Sequence, residues 1–350
     1  MDFRTFANSL QRLIAGAACA AAMCAAAAAA PPDAAALSHK DWEIRCDNTL
    51  TCRAAGYQSD SGESAPVSMR VVRRAGPGTL PEVELQLSAD EPVKGNLLLK
   101  VGKFTLRQAA SDWLSFTPAQ AQAVLPELLK NDEATVSVGS QSWTLSLEGA
   151  NAVLLKMDEV QGRLGTPGAI VRRGNRPESS VRPAVAPPVV RTVVPVETRP
   201  GDAALAAAIF PQLDLTGAIE QCNGFKADPA RFEINRLTAS KVLVSLGCGV
   251  GAYNFLTMNW LANDRPPFQP VELEADGEFS PDGSMTSAMK VRGVGDCWSS
   301  RTWQFDGRDF ALVKDVVDTL CRGFAGGAWQ LESYTATLAK PPASGNKKSK

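Results

Sequence analysis

Trp42-Glu43-Ile44-Arg45-Cys46-Asp47-Asn48-Thr49-Leu50-Thr51-Cys52 decides how the first half of this chain folds. Trp42, Ile44 and Cys46 alternate with Glu43 and Arg45, the period of a half-buried strand. Asp47-Asn48-Thr49 supplies a turn, and Cys52 to Tyr57 carries the chain back. A Cys46–Cys52 bridge would clip this hairpin across its own turn. Such a bridge persists only in an oxidising compartment.

The N-terminus agrees with export. Arg4 and Arg12 form a basic region, and Leu13 to Ala30 is an apolar, alanine-dominated run that stops at Pro31-Pro32. Small residues between Ala28 and Ala36 offer cleavage sites. This is the three-part pattern of a secretory signal peptide over residues 1–30, and alanine is too weakly lipophilic for a membrane anchor. Neither Cys19 nor Cys24 has the leucine spacing of a lipobox, so lipid anchoring is not expected. The expectation is a periplasmic protein with no membrane span once the signal is removed.

Of the eight cysteines, Cys46, Cys52, Cys222, Cys248, Cys297 and Cys321 lie beyond the signal. Six cysteines allow fifteen connectivities. Sequence proximity favours 46–52, 222–248 and 297–321.

Strand patterns continue at Met69–Arg73, Val83–Leu87, Leu97–Val101 and Phe104–Arg107. Thr117-Pro118 opens a helix, with threonine as N-cap and proline at the first helical position. A hairpin is expected around Gly139-Ser140, then a second helix from about Gly149 to Arg163. From Gly165 to Asp202 prolines recur among valines and arginines, which reads as an extended basic spacer. Beyond it the pattern is mainly β: Phe232–Leu237 and Lys241–Leu246 alternate, and Tyr253–Leu261 fits a strand or a helix, with hairpin signals at Asp276-Gly277 and at Asp306-Gly307-Arg308-Asp309, and a turn at Asp282-Gly283. The fold class is therefore α+β. An N-terminal β-rich domain with two helices (37–164) leads through a Pro/Arg-rich linker (165–202) to a disulfide-stapled, mainly β domain (203–340). A basic disordered tail (341–350) follows.

Composition excludes several chemistries. The net charge of −1 gives no field to attract nucleic acid. His39 is the only histidine, and it lies where chains fray. Imidazole-dependent triads are thus not expected. Gly247-Cys248-Gly249-Val250-Gly251-Ala252 matches a loose dinucleotide pattern, but a disulfide cysteine sits inside it and β-prone residues follow; the glycines read better as a tight stapled turn. Ser287-Ala288-Met289-Lys290 matches S-x-x-K, yet Met285, Ser287, Met289 and Val291 alternate as a strand, which separates serine from lysine. Asp276, Glu278 and Asp282 suit turns better than a carboxylate pair. Asp296, Asp306, Arg308 and Asp309 are the best candidates for a polar surface feature. No cofactor and no metal are expected.

Leu155-Lys156-Met157-Asp158-Glu159-Val160-Gln161-Gly162-Arg163-Leu164-Gly165-Thr166-Pro167, Cys248 to Asn254, Gly295-Asp296-Cys297, Trp303 to Phe310 and Cys321-Arg322-Gly323 resemble segments of the domain-of-unknown-function 1176 family of exported bacterial proteins. The first half, with Asp41-Trp42 before Cys46 and Ser146-Leu147-Glu148-Gly149 before a helix, is similar to invasion-associated locus B proteins, which are small, exported and β-rich. The resemblance implies export and architecture and brings no catalytic residues. The functional expectation is a non-enzymatic envelope or binding module that contacts an envelope protein or a cell-wall component. A periplasmic hydrolase using carboxylates is the alternative.

Overall fold

The structure is a computed structural model. It describes residues 35–339 except Asp90 and Thr319. The expected signal peptide, Cys19, Cys24 and the basic tail lie outside the described residues.

In chain order the first half comprises β1 (Ala35–His39), β2 (Trp42–Cys46), β3 (Cys52–Tyr57), β4 (Val67–Arg73), β5 (Glu82–Leu87), β6 (Asn96–Val101), β7 (Phe104–Ala109), β8 (Trp113–Ser115), α1 (Pro118–Leu128), β9 (Glu133–Val138), β10 (Gln141–Ser146) and α2 (Ala150–Val160). One sheet has the order β1-β2-β3-β4-β5-β8 and a second has β10-β9-β6-β7. The inner faces of both sheets and the apolar faces of both helices share one core, with Trp42, Met69, Leu85, Leu99, Val136 and Leu154 among its members. Trp42 lies opposite Gly56, where a Cβ would fall 2.0 Å from the indole. The glycine thus makes room for the ring, and the indole N–H donates to the Ser146 carbonyl at 2.9 Å. The capping box of α1 forms as its sequence predicts: Gln120 N donates to Thr117 Oγ1 at 3.3 Å, and Thr117 N to Gln120 Oε1 at 2.8 Å.

His39 differs from expectation. It ends β1, paired with Trp42, with its side chain exposed. The strand is held by its antiparallel ladder with β2, and the Gly149 backbone, at φ 103°, packs against the His39 carbonyl.

The second helix stops at Val160, short of the expected Arg163. The physical reason is Gly162, which follows the C-cap Gln161 at φ 69° and closes a Schellman motif: Gly162 N donates to the Glu159 carbonyl (2.9 Å) and Arg163 N to the Asp158 carbonyl (2.7 Å). The side chain of Arg163, just past this cap, has no exposure. Its guanidinium donates to Gln161 Oε1 (2.8 Å), Glu178 Oε1 (3.0 Å), the Gly76 carbonyl (2.6 Å) and Thr79 Oγ1 (2.6 Å). Beside it Arg73 donates to the carbonyls of Gly168 (2.7 Å) and Thr79 (2.9 Å). Asp158 accepts from Ile170 N (3.0 Å) and Val171 N (2.8 Å) and lies 3.8 Å from Arg73. Burial brings Arg73 down to about 10 and raises the Asp158 carboxyl. These groups dock the start of the Pro/Arg-rich stretch, and Ile170, Val181 and Val190 are buried along it. The stretch is extended for much of its course, but it runs against the protein rather than through solvent. It includes β11 (Val189–Arg191), which pairs in parallel with the last strand, β21 (Thr337–Ala339).

The second half adds α3 (Leu205–Ile209), α4 (Thr216–Gln221), β12 (Glu233–Arg236), β13 (Lys241–Val250), β14 (Asn254–Asn263), β15 (Val271–Glu272), β16 (Glu278–Phe279), β17 (Ser284–Lys290), β18 (Trp298–Phe305), β19 (Phe310–Val317) and β20 (Leu331–Thr335). Its sheets have the orders β12-β13-β14-β15 and β16-β17-β18-β19-β20. Asp276-Gly277 is not the hairpin its sequence suggests. β15 lies on the edge of β14 and β16 on the edge of β17, so the dipeptide crosses from one sheet to the other. Gly277 is required there, since a Cβ would fall 2.5 Å from the Thr286 backbone. The Asp306–Asp309 turn does close a hairpin, between β18 and β19. The disulfides are Cys46–Cys52, Cys222–Cys248 and Cys297–Cys321, as sequence proximity favours. The whole is an α+β fold.

Ala55 and Tyr57 from the first half share an apolar cluster with Phe324, Ala328, Trp329 and Leu331 from the second. At its centre the Tyr57 hydroxyl lies 3.3 Å from Glu43 Oε1 and 3.2 Å from Asp318 Oδ1, with all three residues buried. A tyrosine has one proton to donate, so satisfying both contacts requires a proton on one carboxyl. Burial, then the Glu43 charge, push Asp318 up to about 7. A carboxyl that holds its proton more tightly in the folded state stabilises the fold in acid, and that contribution disappears as pH rises through the folded value. Unfolding free energy is therefore expected to fall between pH 5 and pH 8, by about 2–4 kcal/mol, in urea titrations at fixed ionic strength. Asp318→Asn should flatten the profile; an unchanged slope in that variant would contradict the assignment. Arg163→Met, which strands the partners of a buried guanidinium, should cost about 3–5 kcal/mol in the same assay. It should also expose the 165–182 segment to limited proteolysis before the rest of the chain.

Candidate functional site

The site begins with a glycine run that does not make the expected turn. β13 continues through Gly247 and Gly249 to Val250, and the chain reverses only at Gly251, with φ 61°. It returns as β14, so the strand–helix context of a dinucleotide loop is not formed. Gly249 pairs with Phe255 and Gly247 with Thr257. Nothing lies within 4 Å of where a Cβ would sit on either glycine. The face beside Phe255 is therefore bare, and Phe255 is 80% exposed. A strand phenylalanine whose cross-strand partner is a glycine forgoes the side-chain packing that such pairs normally supply.

This tip is held from both sides. Cys222, at the end of α4, is bonded to Cys248. Asn223 donates from its backbone to the Gly249 carbonyl (2.9 Å) and from Nδ2 to the Gly251 carbonyl (2.6 Å). Across the gap the Asn254 side chain treats Lys290 as a neighbouring strand would. Its Oδ1 accepts from Lys290 N (2.9 Å), and its Nδ2 donates to the Lys290 carbonyl (3.1 Å). Tyr253 rests beside Gly293, and the exposed Val291 and Val294 extend the apolar patch.

The 291–297 loop is fixed by the Cys297–Cys321 bridge and by Asp296. Asp296 is buried, accepts from the Arg292 guanidinium through both oxygens, and takes the Gly323 amide at 2.7 Å. The Arg292 hydrogen bonds hold its carboxyl below the usual range. Asp296, Cys297 and Cys321 lie close enough to form a metal ligand set. With the two sulfurs bonded to each other, however, neither offers a thiolate.

Beneath the tip, between β14 and β17, opens a cleft of about 460 Å³. Phe255, Thr257, Asp276, Glu278, Ala288 and Lys290 line it. Asp276 Oδ1 is buried without a hydrogen-bond partner among the described residues, a condition that buried polar atoms rarely keep. The Lys290 ammonium lies 5.4 Å from the Trp298 ring centroid, at the mouth. Ser287 and Lys290 belong to strand β17, at positions of opposite side-chain direction. A serine–lysine catalytic pair is therefore not assembled. Asp318, the carboxyl raised to about 7, is sealed in the join between the halves and does not line this cleft.

The four polar candidates from sequence are not brought together. Asp296 precedes β18 and the other three follow it, separated by an eight-residue strand, roughly 25 Å. Asp306 Oδ1 accepts the amides of Arg308 (2.7 Å) and Asp309 (2.9 Å), which makes it a turn-former. Sequence reading missed Tyr253, Asn254 and Phe255 as a unit. The available signal was the pair of glycines opposite Phe255 and Thr257.

A crystal structure of invasion associated protein b from Bartonella henselae aligns with a TM-score of 0.28 and 11% identity, covering 37% of this chain and 99% of that one. The uncharacterized protein YpfG of Escherichia coli K12 is 29% identical over 330 residues, which is 84% of this chain and 91% of YpfG. The family described as "protein of unknown function (DUF1176)" matches residues 36–336. That span holds the buried Asp158–Arg163 network and both flanks of the cleft, and the chain belongs to this family.

Proposed function

We propose that the protein is an exported, periplasmic module that binds a component of the cell envelope, without catalysis, through the tip of β13–β14 and the cleft beneath it. The observation that carries this reading is Phe255, which stands 80% exposed on a hairpin stapled by a disulfide. Three bridges suit an oxidising compartment, and large exposed aromatics on a fixed scaffold suit recognition. A carboxylate hydrolase is the second reading, because Asp276 and Glu278 line the same cleft.

Phe255→Asp separates binding from folding. A change at so exposed a position should shift stability by no more than about 0.5 kcal/mol. The variant should nonetheless lose about tenfold or more of its retention on isolated envelope and sacculus fractions. Equal retention of variant and wild type would overturn the assignment of the cleft. Turnover of a chromogenic hydrolase substrate that disappears in Asp276→Asn would establish the second reading instead. Cell fractionation tests the compartment: the mature, signal-free chain should leave with the osmotic-shock fluid, with its six cysteines unreactive to alkylation until reduced.

A further inference from the structure

The two strands flanking the cleft face each other with unused edges. β14 is paired on its cleft side only at Trp260 and Leu261. β17 is paired on its cleft side only at Met285 and Thr286. Backbone direction alternates along a strand. Thr257 N donates to the Asp276 carbonyl and Asn259 O accepts from Leu273 N, so odd-numbered residues of β14 present their N–H and C=O to the cleft side. Phe255 follows that parity. On β17 the backbone of Lys290 is engaged by Asn254, and Ser284 O accepts from Ser280 N. Even-numbered residues therefore face away from β18, and Ala288 among them. Phe255 and Ala288 thus line the cleft with backbone groups that have no strand partner among the described residues. At one end of the gap Asn254 already fills this role with its carboxamide, a chemical copy of a peptide group.

We propose that the cleft accepts a short extended peptide as an added strand between β14 and β17, continuing the pairing that Asn254 begins, with a basic side chain of that peptide against Asp276 and Glu278. This rests on the binding reading above and names its ligand class. Main-chain hydrogen bonds to Phe255 and Ala288 supply the docking, as in strand addition to other sheet edges. The unpartnered Asp276 Oδ1 supplies an acceptor for a donor from the ligand. Lys290 leans on Trp298, leaving the two carboxylates to set the charge preference. Phe255 and Tyr253 offer apolar cover at the mouth.

The test uses the mature protein and three labelled synthetic heptapeptides in fluorescence anisotropy. The first alternates threonine and valine around a central lysine. The second replaces that lysine with glutamate. The third is the lysine peptide methylated on alternate backbone nitrogens. The lysine peptide should bind, and each of the other two should bind about tenfold or more weakly. Ala288→Pro removes the cleft-facing N–H and leaves the β18 ladder intact; it should lose binding to the same extent, with an unchanged near-ultraviolet spectrum. Equal binding of the methylated peptide would overturn strand addition without depending on any variant. Binding of a labelled cell-wall oligosaccharide in place of all three peptides would overturn it in favour of a glycan. If no peptide binds while Phe255→Asp still releases the protein from envelope fractions, the peptide inference falls and the binding reading stands. If Phe255→Asp has no effect either, both fall.

Discussion

A guanidinium shut off from water sets the path of the chain between its halves. Arg163 follows the Gly162 cap that ends α2, and its hydrogen bonds reach the 74–79 turn on one side and Glu178 on the other. Ionised groups are expensive to bury, and an unpartnered donor fork in this position would cost several kcal/mol. Gly162 makes the turn, and the chain beyond it keeps to a path on which the fork is satisfied. Once Glu178 is held, the Pro/Arg-rich stretch is fixed at its start, and it can deliver β11 to its parallel partner β21. The sequence motif Leu155 to Pro167 is thus explained by packing. Asp158 and Arg163 within it hold loop backbone.

What could be read from the sequence was local. The α1 cap, the Gly139 and Asp306 hairpins, and the cysteine pairs all involve partners a few to a few tens of residues apart, or patterns of fixed period. What could not be read was decided across long separations. Arg163 finds Gly76 and Thr79 more than eighty positions away, so prolines that suggest a free spacer instead follow a docked path. Asp276-Gly277 has the composition of a hairpin turn, yet the register of β15 and β16 with different strands makes it a crossing between sheets. For the site, the glycines around Cys248 were visible and their meaning was not. Only the pairing of β13 with β14 shows that they bare the surface beside Phe255.

The same side-chain device appears at two places where strand pairing would otherwise fail. Asn48 exchanges hydrogen bonds with the Thr335 backbone at 2.8 and 3.0 Å, linking the first half to β20. Asn254 does the same with Lys290. An asparagine carboxamide carries one acceptor and two donors in the geometry of a peptide unit, so it satisfies an edge without extending the ladder. At Asn48 the Arg53–Glu332 ion pair at 2.6 Å and the Tyr57 cluster close the rest of the join. At Asn254 no described residue closes the rest, and the cleft remains.

That difference gives the open edge its meaning. An exposed strand edge beside an exposed phenylalanine is a hazard in any soluble protein, because it templates pairing with other chains. Ordinary countermeasures are a covering loop, a proline or a twist that removes the edge. Here the covering elements stop short on both sides: β15 ends its pairing at Trp260 and β16 at Thr286. The remaining gap is bounded by Asn254 at one end and Gly277 at the other, which limits any added segment to a short one and prevents unlimited sheet growth. Two disulfides and Asp296 hold the walls in place, so adding a strand there would cost little conformational entropy in the walls. A short, rigid, two-sided slot is poorly suited to self-association and well suited to one extended ligand.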